Sequence, residues 1–255
     1  MTRVIKYALY DLLRTRFIIV YSVLLFACTA ALFQLDNDPT KVVLSMLNIL
    51  LMVVPLVSVV FTTIHFFNSY EFMELMLAQP VNRKVVFLSE YLAVASSLCC
   101  AFLIGVGLPL LFYGSGSANW VLIFTGIMLT LAFVSLAFFS SVLTRDKAKA
   151  IGFALFLWLY FSLIYDGFVL WMVYSFNDYP LEKITLAMIA LNPVDLARIM
   201  MLLELDISAL MGYTGAFYQD FFGSNVGIIF SSGTLLIWIM VPMMAALRVF
   251  NKKDW

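Results

Sequence analysis

Residues 91–144 read YLAVASSLCCAFLIGVGLPLLFYGSGSANWVLIFTGIMLTLAFVSLAFFSSVLT, a run without one Asp, Glu, Lys, Arg or His. A helix crosses a bilayer with about 20 mostly apolar residues, so this run holds two crossings. The sequence Gly114-Ser-Gly-Ser-Ala-Asn119 between them supplies the turn. An amphipathic helix of a soluble domain carries a polar stripe, and neither half of this run shows a charged one. The fold is therefore a membrane bundle.

Composition extends that reading to the whole chain. Of its 255 residues 64% are hydrophobic and 12% charged, half the roughly 25% of a soluble domain. Basic and acidic residues balance at 15 each, with no block of like charge to form a nucleic-acid surface or a solvated tail. Cys28, Cys99 and Cys100 lie in apolar runs without CxxC spacing and read as packing. The first apolar run exceeds the roughly 7–15 residues of a signal-peptide core and follows a charged segment, so it reads as an uncleaved span.

Stretches free of charge give six transmembrane helices at 17–35, 42–68, 91–113, 120–143, 150–177 and 222–248, with Asp166 the single charge inside the fifth. Loops on the cytoplasmic side carry the excess of Lys and Arg. Arg3, Lys6, Arg14, Arg16, Arg83, Lys84, Arg145, Lys147, Lys149, Arg248, Lys252 and Lys253 fall on one side; only Lys41, Lys183 and Arg198 fall on the other. Both termini are thus expected in the cytoplasm, with 178–221 as an extracytoplasmic segment.

Two segments outside these spans are amphipathic. In 1–16, Val4, Ile5, Ala8, Leu9, Leu12 and Leu13 share one helical side and Arg3, Lys6, Asp11 and Arg14 the other, as in a helix lying in the membrane interface. In the outer segment Asn192, Pro193 and Asp195 form a helix start, with Asn as cap, Pro at the first helical position and an acid beside the free amides. Leu196, Ile199, Met200 and Leu203 follow at helical spacing, and their apolar face needs lipid, the bundle or another protein to cover it.

The chain contains no GxxxxGK[ST] loop, HExxH or GxSxG, so nucleotide binding in the P-loop manner and the common hydrolase sites are excluded, and no metal or cofactor is expected. The one histidine, His65, is expected to be an interfacial side chain without a paired carboxylate. An ionised Asp166 in the bilayer would cost about 2.5–3.5 kcal/mol. It serves either as a pathway carboxylate or as an interhelical hydrogen-bond partner of Tyr160, Tyr165 or a serine.

Between the second and third spans, at 69–90, stands YEFMELMLAQPVNRK (70–84), acidic residues and a leucine-rich turn followed by Pro-Val-x-Arg. Together with the preceding interfacial helix and two spans, it resembles the permease subunit of ABC-2 type transporters. The resemblance makes 69–90 the coupling region, with Phe72, Glu74, Leu75, Met76, Leu77, Pro80 and Arg83 meeting a separate ATPase. Glu71-Phe72 stands where that family has Gly-Thr, and Ser89-Glu90 where it has Gly-Lys. The segment LWLYFSLIYDGFVL (157–170), the sequence ALNPVDLAR (190–198) and the C-terminal ALRVFNKKDW (246–255) are similar to the NosY family, membrane subunits of the copper-processing transporter for nitrous-oxide reductase maturation.

That resemblance implies a single permease domain over 1–255, working in the bacterial inner membrane as a homodimer with two ATPase subunits. It also implies a periplasmic β-helical partner docked near Asn192, Pro193, Asp195 and Arg198. The expected function is non-catalytic: ATP hydrolysis on the partner is coupled to transport or mechanical signalling, in copper or sulfur delivery. An ABC-2 exporter of a lipid, peptide or drug is the alternative, and a secondary transporter or intramembrane enzyme the alternative of another class.

Overall fold

The computed structural model describes residues 12, 14–36, 38–79, 81–113, 116–144, 146–176, 182–205 and 213–252, with side chains at all of them except 39, 182–183 and 213–226. Every element among them is helical: α1 (Arg16–Leu35), α2 (Pro39–Asn68), α3 (Tyr70–Leu77), α4 (Arg83–Phe102), α5 (Leu108–Tyr113), α6 (Ser117–Leu143), α7 (Lys147–Leu159), α8 (Tyr165–Ser175), α9 (Glu182–Ala190), α10 (Pro193–Glu204) and α11 (Tyr213–Lys252). Single π-turns at Leu103–Gly107 and Tyr160–Ile164 join α4 to α5 and α7 to α8. Six helical runs are long and apolar enough to cross a membrane: Arg16–Leu35, Thr40–Asn68, Arg83–Tyr113, Ser117–Leu143, Lys147–Ser175 and Gly227–Lys252. The proposed interfacial helix over 1–16 lies almost entirely outside the described residues.

The third span begins at 83, not 91. Asn82 caps it by accepting from the Lys84 amide, at 3.0 Å, and its first turns carry Arg83, Lys84 and Glu90. A search for charge-free stretches cut those turns away. The connection between the second and third spans is accordingly shorter than 69–90 and consists of α3 and the few residues after it.

The fourth span is the hub, with 72% of its most apolar window buried, against 17% for the fifth and 22% for the sixth. Close approach to this hub and to α1 depends on glycine, as in membrane bundles generally. A Cβ on Gly105, in the first π-turn, would stand 2.7 Å from Leu25 Cβ and 2.8 Å from the Ser22 carbonyl oxygen. One on Gly126 would collide with the ring of Phe102, which is fully buried. Overpacking of this kind costs about 1–3 kcal/mol. Gly105→Ala and Gly126→Ala should each lower the thermal unfolding midpoint in detergent by several degrees, whereas Gly152→Ala, facing open space, should leave it unchanged.

At the end of the bundle where the basic residues gather, rings from four spans interlock. Phe138 meets Phe66, Phe87 and Tyr91 edge-on at 5.7, 5.6 and 5.4 Å, and Phe87 meets Phe250 at 5.2 Å. Beside them His65 has a partner that the sequence did not offer. Glu90, 5% exposed, lies with Oε2 3.1 Å from His65 Nε2, and Ser69 Oγ lies 3.2 Å from the same nitrogen. The pairing joins α2 to α4 across 25 residues of sequence, which periodicity cannot reveal.

Candidate functional site

At the opposite end of the bundle α9 and α10 form a sharply bent pair, turning by 111°. Three side chains hold the bend, two from the spans and one from the bend itself, each on a backbone carbonyl. Tyr165 hydroxyl donates to Met188 O at 2.6 Å, Trp238 Nε1 donates to Ala190 O at 3.1 Å, and Asn192 Nδ2 donates to Phe161 O at 3.0 Å. Met188 and Ala190 belong to the last turn of α9, where the regular i+4 amides run out; the Met188 carbonyl also accepts from the Leu191 amide at 3.0 Å. The Phe161 carbonyl lies inside the second π-turn, where the regular ladder is interrupted. Phe161 and Trp238 stand near the middle of their helices, so the bend packs against the mid-portions of the fifth and sixth spans.

Asn192 also caps α10, its Oδ1 accepting from the Val194 amide at 3.0 Å, and its Nδ2 reaches Asp195 Oδ2 at 2.9 Å. One turn on, the Arg198 guanidinium bridges two carboxylates: Asp195 Oδ1 at 3.2 Å and Asp166 Oδ2 at 2.9 Å. Asn192 is fully buried and Asp195 is 7% exposed, while the Arg198 and Asp166 side chains keep 33% and 26%. Two carboxylates share one guanidinium, so the cluster is net negative when both are ionised. Asp166 Oδ1 and the nearby Ser162 Oγ are buried and make no hydrogen bond among the described residues. A cavity of about 90 Å³, lined in part by Ser162, Arg198 and Asn48, opens there.

The second set of sequence-predicted residues lies at the basic end. Helix α3 turns off α2 at Ser69 and is fastened by Met73, which is fully buried in the main core. Phe72 and Leu75 point away from the bundle, 49% and 68% exposed, and Glu74 is exposed beside them. Met76 and Leu77 are half-buried against the core. Arg83 is exposed and donates from an Nη to the Asn251 carbonyl at 3.4 Å; Pro80 lies outside the described residues.

The chain thus combines six apolar spans, an apolar-faced helix at the basic end and a sharply bent helix pair at the other. Residues 3–255 match the family described as ABC-2 family transporter protein. The chain belongs to this family. No curated protein matches it in a sequence comparison. ABC-2 proteins are multi-pass membrane subunits of ABC transporters, transport components rather than enzymes, and membership implies an ABC ATPase partner and a lipid bilayer.

In this ABC-2 protein Asp166 finds neither a tyrosine nor a serine as its partner, but Arg198, 32 residues away. Asn192, Pro193 and Asp195 turn inward and are buried, so the outer face of α10 is not built from them. The sequence did show the cap and the apolar spacing of α10. It did not show that Val194, Ala197 and Met201 are buried as well, which makes this helix covered on nearly all sides. Among the residues missed, Tyr165 and Trp238 had a usable signal, since a buried phenol or indole needs a hydrogen-bond partner. Met73 had none beyond its place opposite Leu75 on a short helix.

Proposed function

We propose that this membrane subunit carries motion between a cytoplasmic ATPase docked on α3 and the bent pair on the far side. The observation behind the reading is the split surface of α3, with Met73 fastened in the core while Phe72 and Leu75 project into water. Exposed apolar groups in such an arrangement mark a docking site. In this proposal both termini and α3 are cytoplasmic, as the distribution of Lys and Arg suggests, and the membrane is a bacterial inner membrane. Phe72, Glu74 and Leu75 contact the ATPase, Met76 and Leu77 back them, and Arg83 stands at the return into the third span. Closure of two ATPase subunits moves α2 and α4 together through His65 and Glu90, and a second copy of the chain completes the transporter.

On the periplasmic side, the resemblance of 157–198 and the C-terminus to the NosY family supports copper or sulfur delivery for nitrous-oxide reductase, with a β-helical partner on the bent pair. That partner touches the outer rim and the partly exposed Arg198, while Asn192, Pro193 and Asp195 hold the platform from within. Copurification from native membranes tests the whole reading. The expected complex contains an ATPase and a β-helix repeat protein; an ATPase alone would favour export of a lipid, peptide or drug. Transport by the purified chain without any ATPase would overturn it.

A further inference from the structure

A cavity of about 370 Å³ opens at the basic end of the bundle, between the start of α1 and the end of α2. This is the small end of the ligand-pocket range, roughly 300–1,000 Å³, suited to a headgroup and not to a whole lipid. Its apolar wall is a stack of rings, Phe17 on Phe61 at 4.9 Å and Phe61 on His65 at 6.1 Å. Its polar wall carries Thr15, Asn68 and Ser69. The cavity lies where the apolar runs of both spans end, at the depth of the membrane–water boundary.

Cations stand next to its lining residues. Arg14 and Arg16 are exposed on the α1 side, and Lys147 Nζ donates to the Asn68 side chain at 2.7 Å. The carboxylate facing the cavity from α4 is Glu90, whose side chain is 7% exposed and already engaged by His65. The start of α1 adds to the positive field, since no acidic residue stands in its first turn. Helix starts favour anions, and here cations occupy the place an acid would normally take.

We propose that this cavity binds the phosphate of an anionic phospholipid from the leaflet on that side, with its glycerol and first acyl carbons against the Phe17–Phe61 stack. The site adjoins Ser69, where α2 turns into α3, so an occupied cavity holds that junction in place. The inference needs neither the copper reading nor the ATPase contact.

Native mass spectrometry of the purified full-length chain tests it, in mixed micelles containing equal amounts of phosphatidylglycerol and phosphatidylcholine. Phosphatidylglycerol should be retained preferentially, and Arg14→Gln and Arg16→Gln should each lower that preference about fivefold, the effect of one cation near a membrane surface. Both arginines are exposed, so neither variant threatens folding. Equal retention of the two lipids, or a preference indifferent to both substitutions, would overturn the proposal. Release of phosphatidylglycerol by excess glycerol 3-phosphate would also overturn it, by showing a soluble phosphate to be the occupant.

Discussion

Arg198→Ala is expected to lower the stability of the purified protein by about 2–3 kcal/mol. Removing one partner of a fully buried ion pair costs about 3–5 kcal/mol, and the lower figure suits a guanidinium that keeps 33% of its exposure. The loss comes less from the missing contacts than from what remains: Asp195, 7% exposed, and Asp166 would face each other without a cation. Asp166→Asn should cost less, because the amide oxygen still accepts from Arg198. In the Arg198→Ala background the same Asp166→Asn change should be stabilising, since it removes one of two opposed charges. This reversal of sign is what a double-mutant cycle in detergent would measure. If Arg198→Ala unfolds at the wild-type temperature, the cluster carries no stability. The assembled transporter should also lose ATP-driven turnover more than tenfold in Arg198→Ala while still copurifying with its ATPase, because the broken link lies at the other end of the bundle from α3.

The parts of this architecture legible in the sequence are those that repeat along it. Six apolar runs and a sided distribution of Lys and Arg needed only counting, and the Asn192-Pro193 start of α10 is a local signal. The contacts that tie α10 to the fifth span are non-local. Nothing within a turn of Asp166 announces Arg198, and nothing near Asn192 announces that its side chain will serve a carbonyl in a π-turn 31 residues earlier. Amphipathic spacing also misleads in a membrane protein. Leu196, Ile199, Met200 and Leu203 suggested a one-sided helix with a face for a partner, but Ala197 and Met201 on its other side are fully buried too. His65 and Glu90 show the same limit at the basic end, where a histidine expected to lack a carboxylate partner meets one 25 residues away on another span.

Phe72→Asp and Leu75→Glu are expected to release the ATPase while the permease stays folded. Both side chains are about half or more exposed, so in the isolated protein a charge at either position is solvated and costs little. In the complex the same charge would be buried against the partner. Interface residues of this kind carry 2 kcal/mol or more when they are central, which is a weakening of about 30-fold or greater in Kd. Met73 gives the contrast, since it is fully buried in the bundle; Met73→Asp should destabilise the purified chain itself before any partner is added. Met76 is unsuited to the test, being half-buried against the core, so a charge there would disturb folding and docking together. The diagnostic pattern is therefore a separation along one short helix: two substitutions that change affinity and not melting, and one between them that changes melting first. Retention of the ATPase by both Phe72→Asp and Leu75→Glu would reduce α3 to a connection between spans, and the docking surface would have to be sought elsewhere on the basic face.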